Sequence, residues 1–127
     1  MHDKEILITN WILKSKETLI SAQKAIEINE LHMAQNRLYY AAFYVVAALG
    51  QKNNFITAKH SQLKGWFNRE FIKPKKLDEK YGELYYDLFE SRQKSDYTFT
   101  YKPNKETLNT NLSLVKEFID EIEKIIE

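Results

Sequence analysis

Three stretches of this chain gather residues able to hold an anion or move a proton: Arg37 with Tyr40, Lys59-His60, and Arg92 with Asp96-Tyr97. A guanidinium presents fixed donors that suit a phosphate, and an imidazole is the side chain that exchanges a proton near neutral pH. Arg37 opens the run Arg37-Leu38-Tyr39-Tyr40-Ala41-Ala42-Phe43-Tyr44-Val45-Val46-Ala47-Ala48-Leu49, which holds no further charge, no Gly and no Pro. A guanidinium set among aromatics needs a partner. That partner is either a carboxylate on another helix, with Asp96 the candidate, or an anionic ligand. Arg92 and Asp96 are four apart, so a helix puts them on one face. Arginine before acid is the weaker order for such a pair, which frees each to bond elsewhere. Tyr97 follows where that helix should end. His60 stands near a helix start, as a satisfied terminal residue or as a general base. Of the eight tyrosines, Tyr40 and Tyr97 lie nearest this chemistry.

Other chemistries are closed. With no Cys there is no disulfide, thiolate metal site or cysteine nucleophile. No His follows a Glu by three residues, as carboxylate-bridged di-iron bundles require. His2, His32 and His60 are too scattered for a zinc site, so no metal or cofactor is expected. No glycine loop could cradle a phosphate. The net charge of +1 gives no general affinity for polyanions, but it is unevenly placed. Gln51 to Lys80 carries eight basic and three acidic residues, and Glu106 to Glu127 carries six acids and two lysines. That asymmetry is either a polyanion-facing surface or a pair of solvated faces. The N-terminus lacks the basic-then-apolar order of a secretory signal, and a cytoplasmic location is expected.

The elements that must position these residues read as helices. The chain has 127 residues, 43% apolar and 29% charged, with three Gly and two Pro. This is the composition of one soluble domain rich in helix, spanning 1–127. A first helix is expected from Asp3 to Asn29, with Asn29-Glu30 as a hinge. The central helix, Leu31 to Leu49, carries three apolar stripes: Leu31, Ala34, Leu38, Ala41, Val45, Ala48; then Met33, Tyr40, Tyr44, Ala47; then Tyr39, Phe43, Val46. A helix apolar all round is a membrane span or a core, and its uncharged run is short of the roughly 20 residues of a span. Three stripes also exceed what a small bundle easily covers, so a partner surface is expected. Gly50 reads as the stop. A third helix from Ala58 to Phe71 takes Thr57 as N-cap, and Pro74 ends it. A fourth runs from Leu77 to Ser95, weakened at Gly82 by about 1 kcal/mol. A fifth opens at Pro103-Asn104 and carries Leu108, Leu112, Val115, Phe118, Ile119, Ile122 and Ile126 on one stripe. The expected fold is an all-α antiparallel bundle of four or five helices.

Asn36-Arg37-Leu38-Tyr39-Tyr40-Ala41-Ala42-Phe43, Lys59-His60-Ser61 and Arg92-Gln93-Lys94-Ser95-Asp96-Tyr97 together resemble the HEPN domain in its small stand-alone branch, whose motifs read N-R-x-Y-Y-A-A-F, K-H-S and R-x-x-x-D-Y. The resemblance covers nearly the whole chain. It implies a helical bundle that dimerises around a cleft, frequently paired with a minimal nucleotidyltransferase as a toxin–antitoxin system. Many members are metal-independent RNases that use an Arg followed, after four to six residues, by a His. Here no His follows Arg37, Arg69 or Arg92 at that distance; Asp96-Tyr97 stands there instead. The resemblance therefore implies a nucleotide- or RNA-binding homodimer with Arg92, Asp96, Tyr97, Arg37, Tyr40, Lys59 and His60 at the cleft. The alternatives are an RNase of altered motif using Arg92 and His60, or a purely structural interaction protein. Little RNase activity is expected, because the aspartate and tyrosine after Arg92 carry protons poorly near neutral pH.

Overall fold

A computed structural model describes residues 2–127 of the chain, with the side chain of His2 left aside. Five α-helices follow in order: α1 (His2–Glu27), α2 (Leu31–Lys52), α3 (His60–Phe67), α4 (Glu79–Tyr97) and α5 (Lys105–Ile126). A π-helical turn, Asn68–Ile72, extends α3. Among the described residues there is no strand, and the all-α expectation holds. Among the described residues no helix is long and apolar enough to cross a membrane.

The central position of α2 follows from its composition. Two of its three stripes are buried: Ala34, Leu38, Ala41, Val45 and Ala48 on one side, Tyr39, Phe43 and Val46 on another. The remaining stripe is covered only in part, with Met33 exposed and Tyr40, Tyr44 and Ala47 half-buried. The alanines let α1 approach closely, and Ser15 on α1 donates its hydroxyl to Ala41 O at 2.6 Å. Lys4–Asn54, Trp11–Tyr44 and Ser15–Ala41 contacts descend along both helices in opposite sense, so α1 and α2 are an antiparallel hairpin. The same reasoning runs α4 against α2, from Tyr39–Tyr85 to His32–Ser95. On α5, Val115, Phe118, Ile119 and Ile122 close the core from the other side.

Several boundaries differ from the sequence reading. Helix α2 runs past Gly50 to Lys52, and the left-handed residue that ends it is Asn54 (φ 61°), with Phe55 N donating to Gly50 O at 2.8 Å. Gly50 serves packing instead: a Cβ there would sit 2.6 Å from Phe55 O. Thr57 is not the N-cap of α3. Lys59 holds that position, and Thr57 Oγ1 accepts from Lys59 N in a local turn. Helix α4 starts at Glu79, capped by Asp78 accepting from Lys80 N, and continues to Tyr97. Gly82 lies against Ile72, whose Cγ2 would be 2.8 Å from an added Cβ, so it permits α4 to meet the π turn. The expected hinge holds: Asn29 is left-handed (φ 59°), and Glu30 N returns to Ala25 O.

The charge asymmetry divides among several surfaces. Lys80 meets Glu117 at 3.4 Å, joining the basic middle to the acidic tail. Arg69 pairs with Glu70, and Lys16 takes Glu123. Lys64 lies over the Phe89 and Tyr86 rings. Three of the eight basic residues of the middle segment, Lys64, Arg69 and Lys80, are thus engaged within the fold.

Candidate functional site

The N-terminal half of α2, the start of α3 and the end of α4 bring the three polar stretches together. Arg92 sits on the apolar face of α4, after Tyr81, Tyr85 and Leu88, and only 8% of it is exposed. Its guanidinium lies over the ring of Tyr39 at 4.8 Å and of Tyr40 at 5.5 Å. Nη1 meets Asp96 Oδ2 at 3.5 Å, while Nε is buried without a hydrogen-bond partner. A guanidinium with one long ion pair, on a side chain 10% exposed, keeps donors beyond Asp96 for an anion, whereas the unmatched Nε is itself shut off from solvent.

The expected Arg37–Asp96 pair does not form directly. Arg37 is half-buried, and its Nε and Nη2 both donate to Asn36 Oδ1, at 3.0 and 2.6 Å. Asn36 Nδ2 in turn donates to Asp96 Oδ2 at 3.4 Å. The amide therefore relays between the arginine and the carboxylate. Asp96 belongs first to Arg92 on its own helix, against the expectation that the unfavourable residue order would free both. Burial explains the reversal: α4 turns Arg92 inward, so the nearest acid one turn on is its strongest partner. Arg37 instead stacks over Tyr40 at 5.3 Å, so that ring has the Arg37 guanidinium at 5.3 Å and the Arg92 guanidinium at 5.5 Å.

His60 joins the cluster through space. Its Nδ1 and the Tyr39 hydroxyl are 2.9 Å apart, and its ring stacks on Phe43 at 4.1 Å. Burial lowers the His60 pKa below the ordinary 6.5, and the nearby Arg92 charge lowers it further. The imidazole is then neutral at pH 7. Its Nδ1 is taken by Tyr39, so Nε2 is the nitrogen left to meet a ligand. Burial also pushes the Tyr39 phenol well above its usual range, outweighing the opposing Arg92 charge, so Tyr39 acts as a neutral hydrogen-bonding bridge. Beside it, Tyr85 is fully buried with its hydroxyl unpartnered. His32 Nδ1 and Ser95 Oγ, 2.6 Å apart, tie the start of α2 to the end of α4 on the outer edge.

Residues 8–125 match the HEPN domain family. The chain belongs to it. Among relatives, a "UPF0332 protein" of Thermotoga maritima is 36% identical over 127 residues, covering 100% of this chain and 96% of that protein. Two proteins of Methanocaldococcus jannaschii are similar: "Putative toxin MJ0605", 30% identical over 91% of this chain and 87% of its own length, and "Putative toxin MJ0142", 29% identical over 91% and 78%.

This HEPN chain brings Arg37, Tyr40, His60, Arg92 and Asp96 into one neighbourhood. Tyr97 lies beside them as the last residue of α4, 78% exposed. Lys59 contributes its position before His60, and its side chain is exposed. Sequence reasoning missed Asn36 and Tyr39. Helical spacing puts Tyr39 in a core stripe, yet a buried phenol needs a partner for its hydroxyl. Asn36 precedes an arginine on a helix, where a short amide has few intrahelical uses. A groove of about 580 Å³ lies between α3 and α4, lined by Ser61, Lys64, Phe67, Tyr85 and Tyr86 among others, and none of the seven sequence-derived candidates lines it.

Proposed function

We propose that this HEPN chain is a dimeric nucleotide- or RNA-binding module of the toxin–antitoxin kind, acting with a minimal nucleotidyltransferase. The observation that carries the reading is Arg92: a guanidinium 8% exposed, framed by Tyr39 and Tyr40, with Nε unpartnered. Arg37 and the neutral His60 flank it, so one phosphate would meet two cations and an imidazole. The names of the two archaeal relatives support the toxin assignment. Association of two copies is supported by Ile6, Leu13 and Ile20, which leave an exposed apolar line along α1 at the seven-residue spacing of a helix seam. Sedimentation at micromolar concentration should give twice the 15.1 kDa of one chain; a monomer would remove the dimer from the proposal.

A second reading has one observation in its favour. The Tyr39–His60 contact places an imidazole beside the Arg92 charge. In an RNase, His60 Nε2 would take the proton of the attacking ribose hydroxyl, and Arg92 would stabilise the charge on phosphorus. The cluster holds a single imidazole and so lacks a matched base and acid, which favours binding over turnover. Labelled RNA incubated with wild type, Arg92→Met and His60→Ala, with and without chelator, separates the two. Binding lost in Arg92→Met without cleavage in any sample is expected. Chelator-resistant cleavage abolished by both substitutions would replace the binding module with a nuclease.

A further inference from the structure

After Tyr97 the chain makes one tight turn. Tyr101 N donates to Thr98 O at 3.1 Å, and Thr98 N still closes on Lys94 O at 2.8 Å, so the turn is fixed to the end of α4. Tyr101 is half-buried and Pro103 is buried, which anchors the far side. At the tip, the ring of Phe99 is fully exposed, at 103%, and Tyr97 beside it is 78% exposed. Aromatics occupy every second position from Tyr97 to Tyr101, with Thr98 and Thr100 between them. No acid occurs between Asp96 and Glu106, and Asp96 is held by Arg92 and Asn36. Lys94, Lys102 and Lys105 are exposed around the turn.

A single apolar residue in water needs no explanation. Two rings presented on a hydrogen-bonded turn, among lysines and beside a buried guanidinium, are a different case. The cores of protein–protein interfaces are depleted in lysine. Sites for single-stranded nucleic acid combine a cationic track with aromatic rings on which bases stack, whatever the sequence. The geometry points to Phe99 and Tyr97 as a base-stacking platform for single-stranded RNA whose phosphate lies at Arg92. This rests on the phosphate-binding reading above and narrows it. Helix α4 rises about 7.5 Å between Arg92 and Tyr97, and Phe99 lies two residues further. The platform therefore receives the base of a neighbouring nucleotide, and the ligand is an oligonucleotide in preference to a mononucleotide.

The test compares fluorescence anisotropy of labelled oligouridylate and oligoadenylate, about eight nucleotides long and so within the size of single-strand sites, with calorimetric titration of UMP and AMP. Wild type, Phe99→Ala, Phe99→Trp and Arg92→Met are measured on the full chain. Phe99→Ala should weaken oligonucleotide binding about tenfold or more, the order of one lost stacking contact. It should leave mononucleotide affinity unchanged. Its salt dependence should match wild type, because no charge is removed. Phe99→Trp should retain wild-type affinity. Equal oligonucleotide binding by Phe99→Ala and wild type would overturn the platform. Mononucleotides bound through Arg92 with oligonucleotides no tighter would also overturn it, while leaving the phosphate site standing. Wild type that binds neither would end both readings, and a changed sedimentation mass for Phe99→Ala would then assign the ring to a protein interface.

Discussion

Replacing Arg92 with Met keeps a long unbranched side chain and removes the guanidinium. The losses are modest. The pair with Asp96 spans 3.5 Å, and Asp96 is 28% exposed, so it contributes at most about 1 kcal/mol. The contacts with Tyr39 and Tyr40 add roughly 1 kcal/mol each. The gains oppose them: the unpartnered Nε no longer costs about 1–3 kcal/mol, and the charge is no longer held out of water, a penalty of several kcal/mol. Asp96 keeps Asn36 and solvent, so no buried charge is stranded. Stability should stay level or rise by about 1–3 kcal/mol. At about 4 °C per kcal/mol for a domain of this size, the melting temperature should rise by up to about 12 °C. Affinity for RNA should fall at least about tenfold, the loss of one charge-assisted phosphate contact. Circular dichroism melts and anisotropy titrations read the two effects separately. If Arg92 instead serves to hold the bundle, breaking its pair would cost about 3–5 kcal/mol. A melting temperature lowered by more than about 10 °C with RNA affinity intact would refute the functional assignment.

Arg37→Ala should be mild, costing less than about 1 kcal/mol, because its half-buried guanidinium bonds only the neighbouring Asn36; a urea titration measures it. His60 gives a pH signature. The unfolded chain takes up its proton near pH 6.5 while the folded chain resists until lower pH. Stability should therefore fall as pH drops below about 6.5 and level off below the folded pKa. Melts of His60→Gln between pH 5 and 8, a window centred on the ordinary histidine value of about 6.5, should show a shallower fall than wild type. The glycines separate packing from propensity: Gly50→Ala drives a Cβ to 2.6 Å from Phe55 O and should cost about 1–3 kcal/mol. Gly65→Ala meets nothing within 4 Å and should gain up to about 1 kcal/mol. Equal melting temperatures for the two would contradict that close approach.

Much of the architecture was legible because helical periodicity is a local signal. The all-round apolar face of α2 could only be a core, and its two buried stripes match that reading at every position but Leu31, which is half-buried. Gly50 misled because glycine ends helices and also permits close approach, and only the position of Phe55 decides between them. The π turn at Asn68–Ile72 left no mark, since a one-residue widening of a helix changes no composition. In the site, the sequence marks Arg37 as the guanidinium set among aromatics, whereas the arginine that the fold buries is Arg92, 8% exposed. Its pairing with Asp96 was not legible, because intrahelical residue order is worth only a few tenths of a kcal/mol, less than burial of the guanidinium. Asn36 as the relay depends on side-chain rotamers, which sequence spacing does not determine.

The position of His60 bears most directly on whether the HEPN bundle here binds or cleaves. A base and a cation on one helix keep a fixed spacing, whereas here the imidazole arrives from α3 and reaches Arg92 only across the Tyr39 ring. That arrangement spends Nδ1 on a hydroxyl whose proton is held tightly, since burial raises the Tyr39 pKa. Proton relay through Tyr39 is therefore closed near neutral pH. In the tautomer whose Nδ1 accepts from Tyr39, the ring proton sits on Nε2, which then donates to a phosphate and cannot act as a base. Meanwhile Arg92, Arg37 and neutral His60 together supply donors to a phosphate without needing any proton to move. A site organised this way stabilises a bound anion more than it stabilises a bond-breaking step, which favours the proposed binding module over the proposed nuclease.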